Sequence, residues 1–116
     1  RKGGHVLLTE SFINEMHDEP IDFWRFTKFG LEKLFVEAGF TVVTIDQRGG
    51  FFTSMMQEKI RYCIDRFSLY KHRFIGRIAS ALFRLFGAVA LWLDSVDTSV
   101  ANRKHTLGWC VVARKD

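Results

Sequence analysis

The 116-residue sequence predicts an α/β protein in which three strands are connected first by one helix and then by a long helical segment. Two observations lead to this prediction. Three short runs rich in Val, Ile, Leu or Thr lie near residues 5–10, 40–46 and 106–114, as is typical of strands. The stretches between these runs keep apolar residues at helical spacing. The predicted order is therefore strand, helix, strand, helical insert, strand.

The first strand is predicted over residues 5–10, where an apolar run follows a pair of glycines that favours a turn. Because Val6, Leu7 and Leu8 are consecutive rather than alternating with polar residues, the strand is expected to be covered on both faces. The polar segment 11–22 contains Pro20, which lacks an N–H group and disfavours helix geometry in the residue before it. This segment is predicted to be a loop.

The first helix is predicted to begin after Thr27, whose hydroxyl is suited to cap the free N–H groups of the first turn. An apolar stripe at positions i, i+3, i+4 and i+7 follows, formed by Leu31, Leu34, Phe35 and Ala38. Gly39 stands where a left-handed residue commonly ends a helix. The β-branched residues of segment 40–46 then predict the second strand.

Two helices are predicted over Thr53–Tyr70 and Phe74–Val96, so residues 53–96 form a helical insert between the last two strands. The second helix is apolar around most of its circumference, because its polar positions make only a narrow stripe at Arg77, Ser80 and Arg84. Such a helix either packs on the sheet or another subunit, or lies in a lipid interface. Its weakly charged stretch, residues 78–93, is shorter than the roughly 18 residues that a membrane span requires.

The last strand is predicted over Thr106–Arg114, after a polar loop at residues 97–104. Cys110 in this strand and Cys63 in the insert are far apart and form no C-x-x-C pair. They predict neither a zinc site nor a disulfide framework, and both are interpreted as small buried hydrophobic residues.

Composition excludes a disordered or low-complexity chain, since 47% of the residues are hydrophobic and 15% are aromatic.

The net charge is +4, but the segment from Lys59 to Arg84 alone holds seven Lys or Arg residues against one Asp. A local basic surface of this kind suits phosphate, anionic lipid or nucleic acid. The two unpaired cysteines predict a reducing, cytoplasmic setting, and the first ten residues lack the pattern of a signal peptide.

Four segments carry a family resemblance. Residues 2–8, KGGHVLL, are similar to the pattern K-P-G-G-x-L-x-L, and residues 17–27, HDEPIDFWRFT, to H-x-x-P-x-D-[FY]-W-R-[FY]-T. Residues 30–40 match G-L-x-x-L-x-x-x-A-G-F, and residues 108–115 resemble a last strand that often closes V-V-A-R-K. In this order, the segments resemble the second half of the class I S-adenosylmethionine-dependent methyltransferases.

The resemblance implies the C-terminal part of a Rossmann-like methyltransferase sheet, with three strands of which the last is antiparallel, and a long two-helix insert. Residues 1–116 then form the C-terminal portion of a single methyltransferase domain. The family's glycine-rich turn is absent from this sequence, so S-adenosylmethionine is expected to be bound mainly by an N-terminal half. The implied activity is methyl transfer to a small-molecule or lipid-linked acceptor in the full-length parent. The fragment itself is expected to be inactive, with neither cofactor-binding nor metal-ligating residues.

Ligands of open α/β sheets bind outside the carboxyl ends of the parallel strands, which places the loop after the first strand at the site. His17 is the candidate catalytic base, because imidazole exchanges protons near neutral pH; alternatively it only bonds within the loop or is solvated. Asp22 either orients His17, pairs with Arg25, or lies as a charge near the following helix. Arg25 either holds an anionic acceptor by a bidentate contact or forms a structural salt bridge.

Three further candidates for acceptor binding are Glu10, Trp24 and Phe51. Glu10 ends the first strand and either faces the cofactor or acceptor or caps the loop. Trp24 either walls the pocket or anchors the core. Phe51 begins an aromatic and methionine cluster that either lines an apolar acceptor pocket or belongs to the core.

Two other functions compete with methyl transfer. A short-chain reductase requires Y-x-x-x-K, but Arg66 and Phe74 stand four residues after the two tyrosines. The alternative function is a non-catalytic module that binds anionic lipid or nucleic acid through the basic helix pair. Nucleic acid is the less favoured partner, because the basic residues alternate with core positions and form no recognised motif. A peripheral membrane contact is the further expectation for partners and location.

Overall fold

The computed structural model describes residues 1–17 and 19–116; Asp18, which belongs to the 17–27 motif, lies outside the described residues. The elements in chain order are β1 (His5–Ser11), α1 (Lys28–Glu37), β2 (Phe40–Gln47), α2 (Phe51–Arg66), a 3₁₀ turn (Leu69–Lys71), α3 (Arg73–Val96), α4 (Val100–Arg103) and β3 (Gly108–Lys115). The predicted order is confirmed. Two differences stand out. The segment predicted to be a loop contains α4, a single helical turn, and the helix predicted over Thr53–Tyr70 begins at Phe51 and ends at Arg66, before the 3₁₀ turn.

The chain divides into two compact units. The strand unit comprises residues 1–48 and 106–116, and the helical unit comprises residues 49–105. The strand unit holds β1, α1, β2 and β3, whereas α2, the 3₁₀ turn, α3 and α4 form the helical unit.

The sheet has the order β1-β3-β2, so the last strand of the chain lies between the other two and runs antiparallel to both. Leu7 of β1 stands opposite Val112 of β3, and Ile45 of β2 stands opposite Val111. The register of β2 shifts between Val42 and Thr44, where the strand carries an irregularity. The expectation of an α/β chain with an antiparallel last strand is confirmed.

The core of the strand unit lies between α1 and one face of the sheet. Trp109, Val111 and Ala113 are buried at alternate positions of β3, which is the periodicity of a strand with one face in a core. Leu31 from α1 is also buried and packs in the same cluster. Leu8 of β1 is half-buried at the edge of this cluster.

The expectation that β1 is covered on both faces is wrong. Val6 and Leu8 are half-buried, but Leu7 between them is 81% exposed. Successive side chains of a strand point to opposite faces, and α1 covers only one face of this sheet. Within the described part of the strand unit, the face that carries Leu7 is therefore open.

Both ends of α1 follow the sequence-based expectation. The Thr27 hydroxyl accepts the Gly30 N–H at 3.1 Å, which caps the first turn. Gly39 follows the helix with φ +75°, in the left-handed region that favours glycine. Lys115 of β3 closes this end, because its Nζ donates to the carbonyl oxygens of Ala38 at 2.7 Å and Gly39 at 2.8 Å.

The start of α2 is capped by side chains from distant parts of the helical unit. The Asp94 carboxylate accepts three backbone N–H groups there, from Gly50 at 2.8 Å, Phe52 at 3.0 Å and Thr53 at 3.0 Å. The Asn102 side-chain oxygen accepts a fourth, from Phe51 at 2.6 Å. Burial raises the pKa of the Asp94 carboxyl, but the hydrogen bonds donated by this helix start outweigh burial and lower the pKa.

Both cysteines are free thiols and are half-buried. The expectation that Cys63 and Cys110 are small buried residues is met only in part, because each side chain keeps some exposure to solvent. Cys110 belongs to the alternate set of β3 residues, on the face opposite that of Trp109 and Val111.

Candidate functional site

The loop after β1 is tied back to the strands at both of its ends. The N–H groups of Phe12 and Ile13 donate to the Leu107 carbonyl oxygen at 2.8 and 3.3 Å. At the other end, the Phe26 N–H donates to the Ser11 carbonyl oxygen at 3.2 Å. The loop therefore leaves and rejoins the unit beside the carboxyl end of β1.

Asp22 and Arg25 form a bidentate ion pair within this loop. Arg25 Nη1 donates to Asp22 Oδ1, and Nη2 donates to Oδ2 at 2.6 Å. The Arg25 guanidinium, followed by the His17 backbone N–H, holds the pKa of the Asp22 carboxyl well below its usual range. The same pairing raises the pKa of Arg25. Asp22 is therefore a carboxylate at neutral pH.

His17 is held against the same carboxylate. Its backbone N–H donates to Asp22 Oδ2 at 3.0 Å, and its Nδ1 lies 3.6 Å from that oxygen. Nδ1 also lies 3.1 Å from the Glu15 carbonyl oxygen. A carbonyl oxygen can only accept, so Nδ1 carries the proton of this bond, and in the neutral ring Nε2 then carries the lone pair.

The structure thus brings His17, Asp22 and Arg25 together. Asp22 pairs with Arg25, as one of the alternatives expects, and it also accepts the His17 backbone N–H, whereas the His17 ring bonds to the Glu15 carbonyl oxygen. The His17 side chain is 43% exposed, so the ring remains accessible to an acceptor.

The geometry of Arg25 favours the salt-bridge alternative over a contact with an anionic acceptor. In addition to Asp22, Nη1 donates to the Trp24 carbonyl oxygen at 3.1 Å and Nη2 to the Glu15 carbonyl oxygen at 3.0 Å. Each of these two nitrogens has two hydrogens, and all four have acceptors within the loop. A bidentate contact with a ligand would first have to displace one of these acceptors.

Glu10 is half-buried and lies beside a small cavity of about 220 Å³. Apolar side chains from the sheet and α1 line this cavity, among them Leu8, Leu31 and Phe35. Among the described residues no hydrogen bond reaches the Glu10 carboxylate, so the capping alternative finds no support. The cavity is smaller than the roughly 300–1,000 Å³ of ordinary ligand pockets.

Trp24 is 72% exposed, so the alternative that it anchors the core is wrong. It belongs to an apolar loop surface that no sequence pattern predicted. The other members of that surface are Met16, Ile21 and Phe23, each more than two-thirds exposed. These side chains are exposed because the hydrogen bonds of Asp22 and Arg25 occupy the inside of the loop, so the apolar side chains lie on its outside.

Phe51 lies in the helical unit at the start of α2. Its ring packs edge-on against Phe52 at a centroid distance of 5.4 Å and against His105 at 5.1 Å. It is 38% exposed, so it is neither a full core residue nor a free surface residue. The role of Phe51 in acceptor binding stays a prediction.

No family model, no curated protein and no solved structure matches this chain. Among residues 1–17 and 19–116, no group of three or more His, Cys, Asp or Glu side chains is placed to hold a metal ion.

Helix α3 forms a second surface of functional interest. It is long and apolar enough, by length and composition, to cross a membrane, which corrects the expectation that this segment falls short. The helix spans 24 residues, which leaves room for an 18-residue window of apolar character that holds no more than two charged residues. Core helices of water-soluble proteins satisfy the same criterion when they are mostly buried, but only 6% of the most apolar window of α3 is buried.

Proposed function

We propose that this chain supplies the acceptor side of an S-adenosylmethionine-dependent methyltransferase, with His17 as the base. The observation that supports the proposal is the cluster of His17, Asp22 and Arg25 beside the carboxyl end of β1. The antiparallel last strand and the four matching segments are consistent with the same Rossmann-like family. Under this proposal, the cofactor is bound mainly by an N-terminal half of the parent.

S-adenosylmethionine supplies, when bound, an electrophilic methyl group that a nucleophile can take. The task of this chain is to hold the acceptor and to remove its proton. Nδ1 of His17 bonds to the Glu15 carbonyl, so Nε2 is the atom that takes the proton from an acceptor hydroxyl or amine. Asp22 acts through His17 as a positioning residue, and Arg25 holds Asp22 in place.

The exposed apolar side chains of the loop give the acceptor a surface to contact. Trp24 and its neighbours Met16 and Phe23 lie within the same loop as His17. Their presence favours an acceptor with an apolar part, either a small molecule or a lipid-linked compound. Glu10 ends the strand that carries this loop and stays a candidate contact to the acceptor.

Calorimetry with S-adenosylmethionine tests whether the cofactor is bound mainly by the N-terminal half of the parent. The 116-residue chain is expected not to bind it, whereas the parent with its upstream half is expected to bind it. Micromolar binding by the 116-residue chain would overturn the proposed division.

The role of His17 is tested in the parent by His17→Asn. The expected loss of methyl transfer is on the order of 10²- to 10⁴-fold, with the affinity for S-adenosylmethionine unchanged. The matched control is His5→Asn, which alters an exposed histidine of β1 and is expected to keep full activity. Full activity of His17→Asn would refute the assignment of the base.

A second candidate function is association of the helical unit with an anionic membrane surface, in a protein that is otherwise cytoplasmic. The supporting observation is that α3 combines exposed apolar side chains with the basic excess of its unit. Residues 49–105 carry nine Lys or Arg against four Asp or Glu. Exposed apolar side chains beside a basic stripe suit a helix that lies along a membrane surface. Co-sedimentation with phosphatidylglycerol vesicles tests the candidate, and a chain that stays in the supernatant would contradict it.

A further inference from the structure

The helical unit contains a groove between α2, the 3₁₀ turn and α3, with a volume of about 700 Å³. Its lining is of two kinds. Apolar side chains of α2 and α3 form one part of the lining, and three arginines of α3 form another. We call it the arginine groove and define it by Ile60, Ile64, Phe83, Arg73, Arg77 and Arg84.

The three arginines lie on one side of α3. Their spacing of four and seven residues returns to the same face of a helix. Ser80 lies between them in the same stripe and accepts a hydrogen bond from Arg84 Nη2 at 3.4 Å. All three arginines are exposed, and no carboxylate pairs with any of them among the described residues. Three unpaired cations along one groove attract an anion.

The wall of the groove is hydrocarbon. Ile60 and Ile64 of α2 stand one helical turn apart, and Phe83 faces the same groove from α3. All three are half-buried, so each presents part of its apolar surface to the groove. A ligand that suits both kinds of lining has a negative head and an apolar tail.

We propose that the arginine groove binds the phosphate headgroup of an anionic phospholipid in a bilayer, with the first part of an acyl chain along the apolar wall. This inference rests on the membrane association proposed above for the helical unit. It adds a specific headgroup site to what would otherwise be a diffuse attraction between charges.

The apolar face of α3 favours a bilayer over nucleic acid. Several of its large hydrophobic side chains are about half exposed or more, namely Phe74, Ile75, Ile78, Leu85, Leu91 and Trp92. Aliphatic side chains offer little to a phosphate backbone or to stacked bases, whereas they bury readily in the acyl boundary of a membrane. Trp92 is a residue type that is enriched at membrane interfaces.

The test is co-sedimentation of the 116-residue chain with phosphatidylcholine vesicles that contain phosphatidylglycerol. The groove variant replaces three arginines, as Arg73→Gln, Arg77→Gln and Arg84→Gln. The matched control removes the same charge from the same unit at positions that do not line the groove, as Lys59→Gln, Arg66→Gln and Lys104→Gln. Circular dichroism of both variants checks that the helices are retained.

The groove variant is expected to lose about 100-fold in vesicle affinity. The control variant is expected to lose no more than about tenfold. Equal losses in the two variants would overturn the groove while leaving surface association intact. No sedimentation of the unmodified chain with anionic vesicles would overturn both. Tighter binding to a single-stranded oligonucleotide than to vesicles, lost in the groove variant, would overturn the lipid assignment.

A second measurement does not depend on variants. Short-chain phosphatidylglycerol, added below its micelle concentration, is expected to shift the NMR methyl signals of Ile60 and Ile64. The methyl signal of Ile45 in the strand unit is the control and is expected to stay unchanged. Unshifted groove methyls in the presence of this soluble lipid would contradict a headgroup site.

Discussion

Asp22 organises the candidate site because one carboxylate serves two residues. It accepts the His17 backbone N–H and both Nη atoms of Arg25, and charge-assisted bonds of this kind are stronger than neutral ones. The sequence placed these three residues within one short motif. It could not decide between the orienting and the pairing role, because that choice depends on how the loop folds back on itself.

Asp22→Asn is expected to loosen the loop around His17. The amide retains one acceptor oxygen but loses the charge, so both the Arg25 pair and the His17 bond weaken. The exchange of the His17 amide hydrogen, followed by NMR, is expected to become about tenfold faster. Asp46→Asn, on an exposed carboxylate of β2, is the control and leaves this rate unchanged. Unaltered exchange in Asp22→Asn would show that the bond contributes nothing to loop order.

Asp94→Asn is expected to destabilise the helical unit by about 2 kcal/mol, because the carboxylate holds three N–H groups at the start of α2. Asp97→Asn alters a carboxylate that, among the described residues, accepts one hydrogen bond, from the Ser99 N–H, and is expected to cost about 0.5 kcal/mol. Denaturant unfolding monitored by circular dichroism measures both. Equal losses for the two variants would contradict the capping role.

The same carboxylate predicts a pH dependence. The pKa of Asp94 is lowered in the folded state, so its contribution to stability is present above the ordinary carboxyl value of 3.8. That contribution is lost as the pH falls through the lower folded-state pKa. The unfolding free energy of the unmodified chain should therefore fall more steeply below pH 4 than that of Asp94→Asn. Parallel pH profiles would refute this linkage.

At the scale of elements, the sequence predicts the end of a helix correctly where the capping residue is a neighbour of that helix in the chain. The Thr27 cap and the left-handed Gly39 are set by neighbouring residues, and both were predicted correctly. The start of α2 was not, because its capping groups come from Asp94 and Asn102, about 40 to 50 positions further along the chain. Gly50 itself has no side chain that could cap, so the sequence carried no local signal.

Two glycines of the helical unit are expected to respond in opposite directions to alanine. At Gly50 the added methyl group would collide with the side chains of Asn102 and Asp94, which cap α2. At Gly87, within α3, nothing lies near the added group, and alanine favours the helix by up to about 1 kcal/mol. Gly50→Ala should therefore lower the unfolding free energy and Gly87→Ala should raise it, as measured by thermal unfolding. Stabilisation by Gly50→Ala would contradict the close approach.

At the scale of the whole molecule, charge is divided between the two units. The strand unit carries eight Lys or Arg against nine Asp or Glu, whereas the helical unit carries nine against four. The basic surface belongs to the helices, and the candidate catalytic residues belong to the strands. Under the two proposals above, the strand unit would carry out the chemistry and the helical unit would contact the membrane.

The open face and edge of β1 predict self-association of the isolated chain. Among the described strands β1 pairs only with β3, and Leu7 on its open face is 81% exposed. Leu7→Lys is expected to reduce association in sedimentation velocity and to change stability by less than about 0.5 kcal/mol. Leu8→Lys, on the covered face, is expected to unfold the strand unit. An unmodified chain that remains monomeric at high concentration would contradict self-association through β1.

The sequence by itself determined the order of elements, the helix caps that use neighbouring residues, and the short motif that contains His17, Asp22 and Arg25. These features follow from local spacing and local backbone preference. Tertiary structure decided that β3 lies between β1 and β2, that β1 is covered on one face only, and that Trp24 is exposed. It also decided that Arg73, Arg77 and Arg84 share a groove with the apolar wall of α2. Each of these features depends on which surfaces from distant parts of the chain contact one another. The periodicity of a sequence indicates that a face is apolar, but it does not indicate what covers that face.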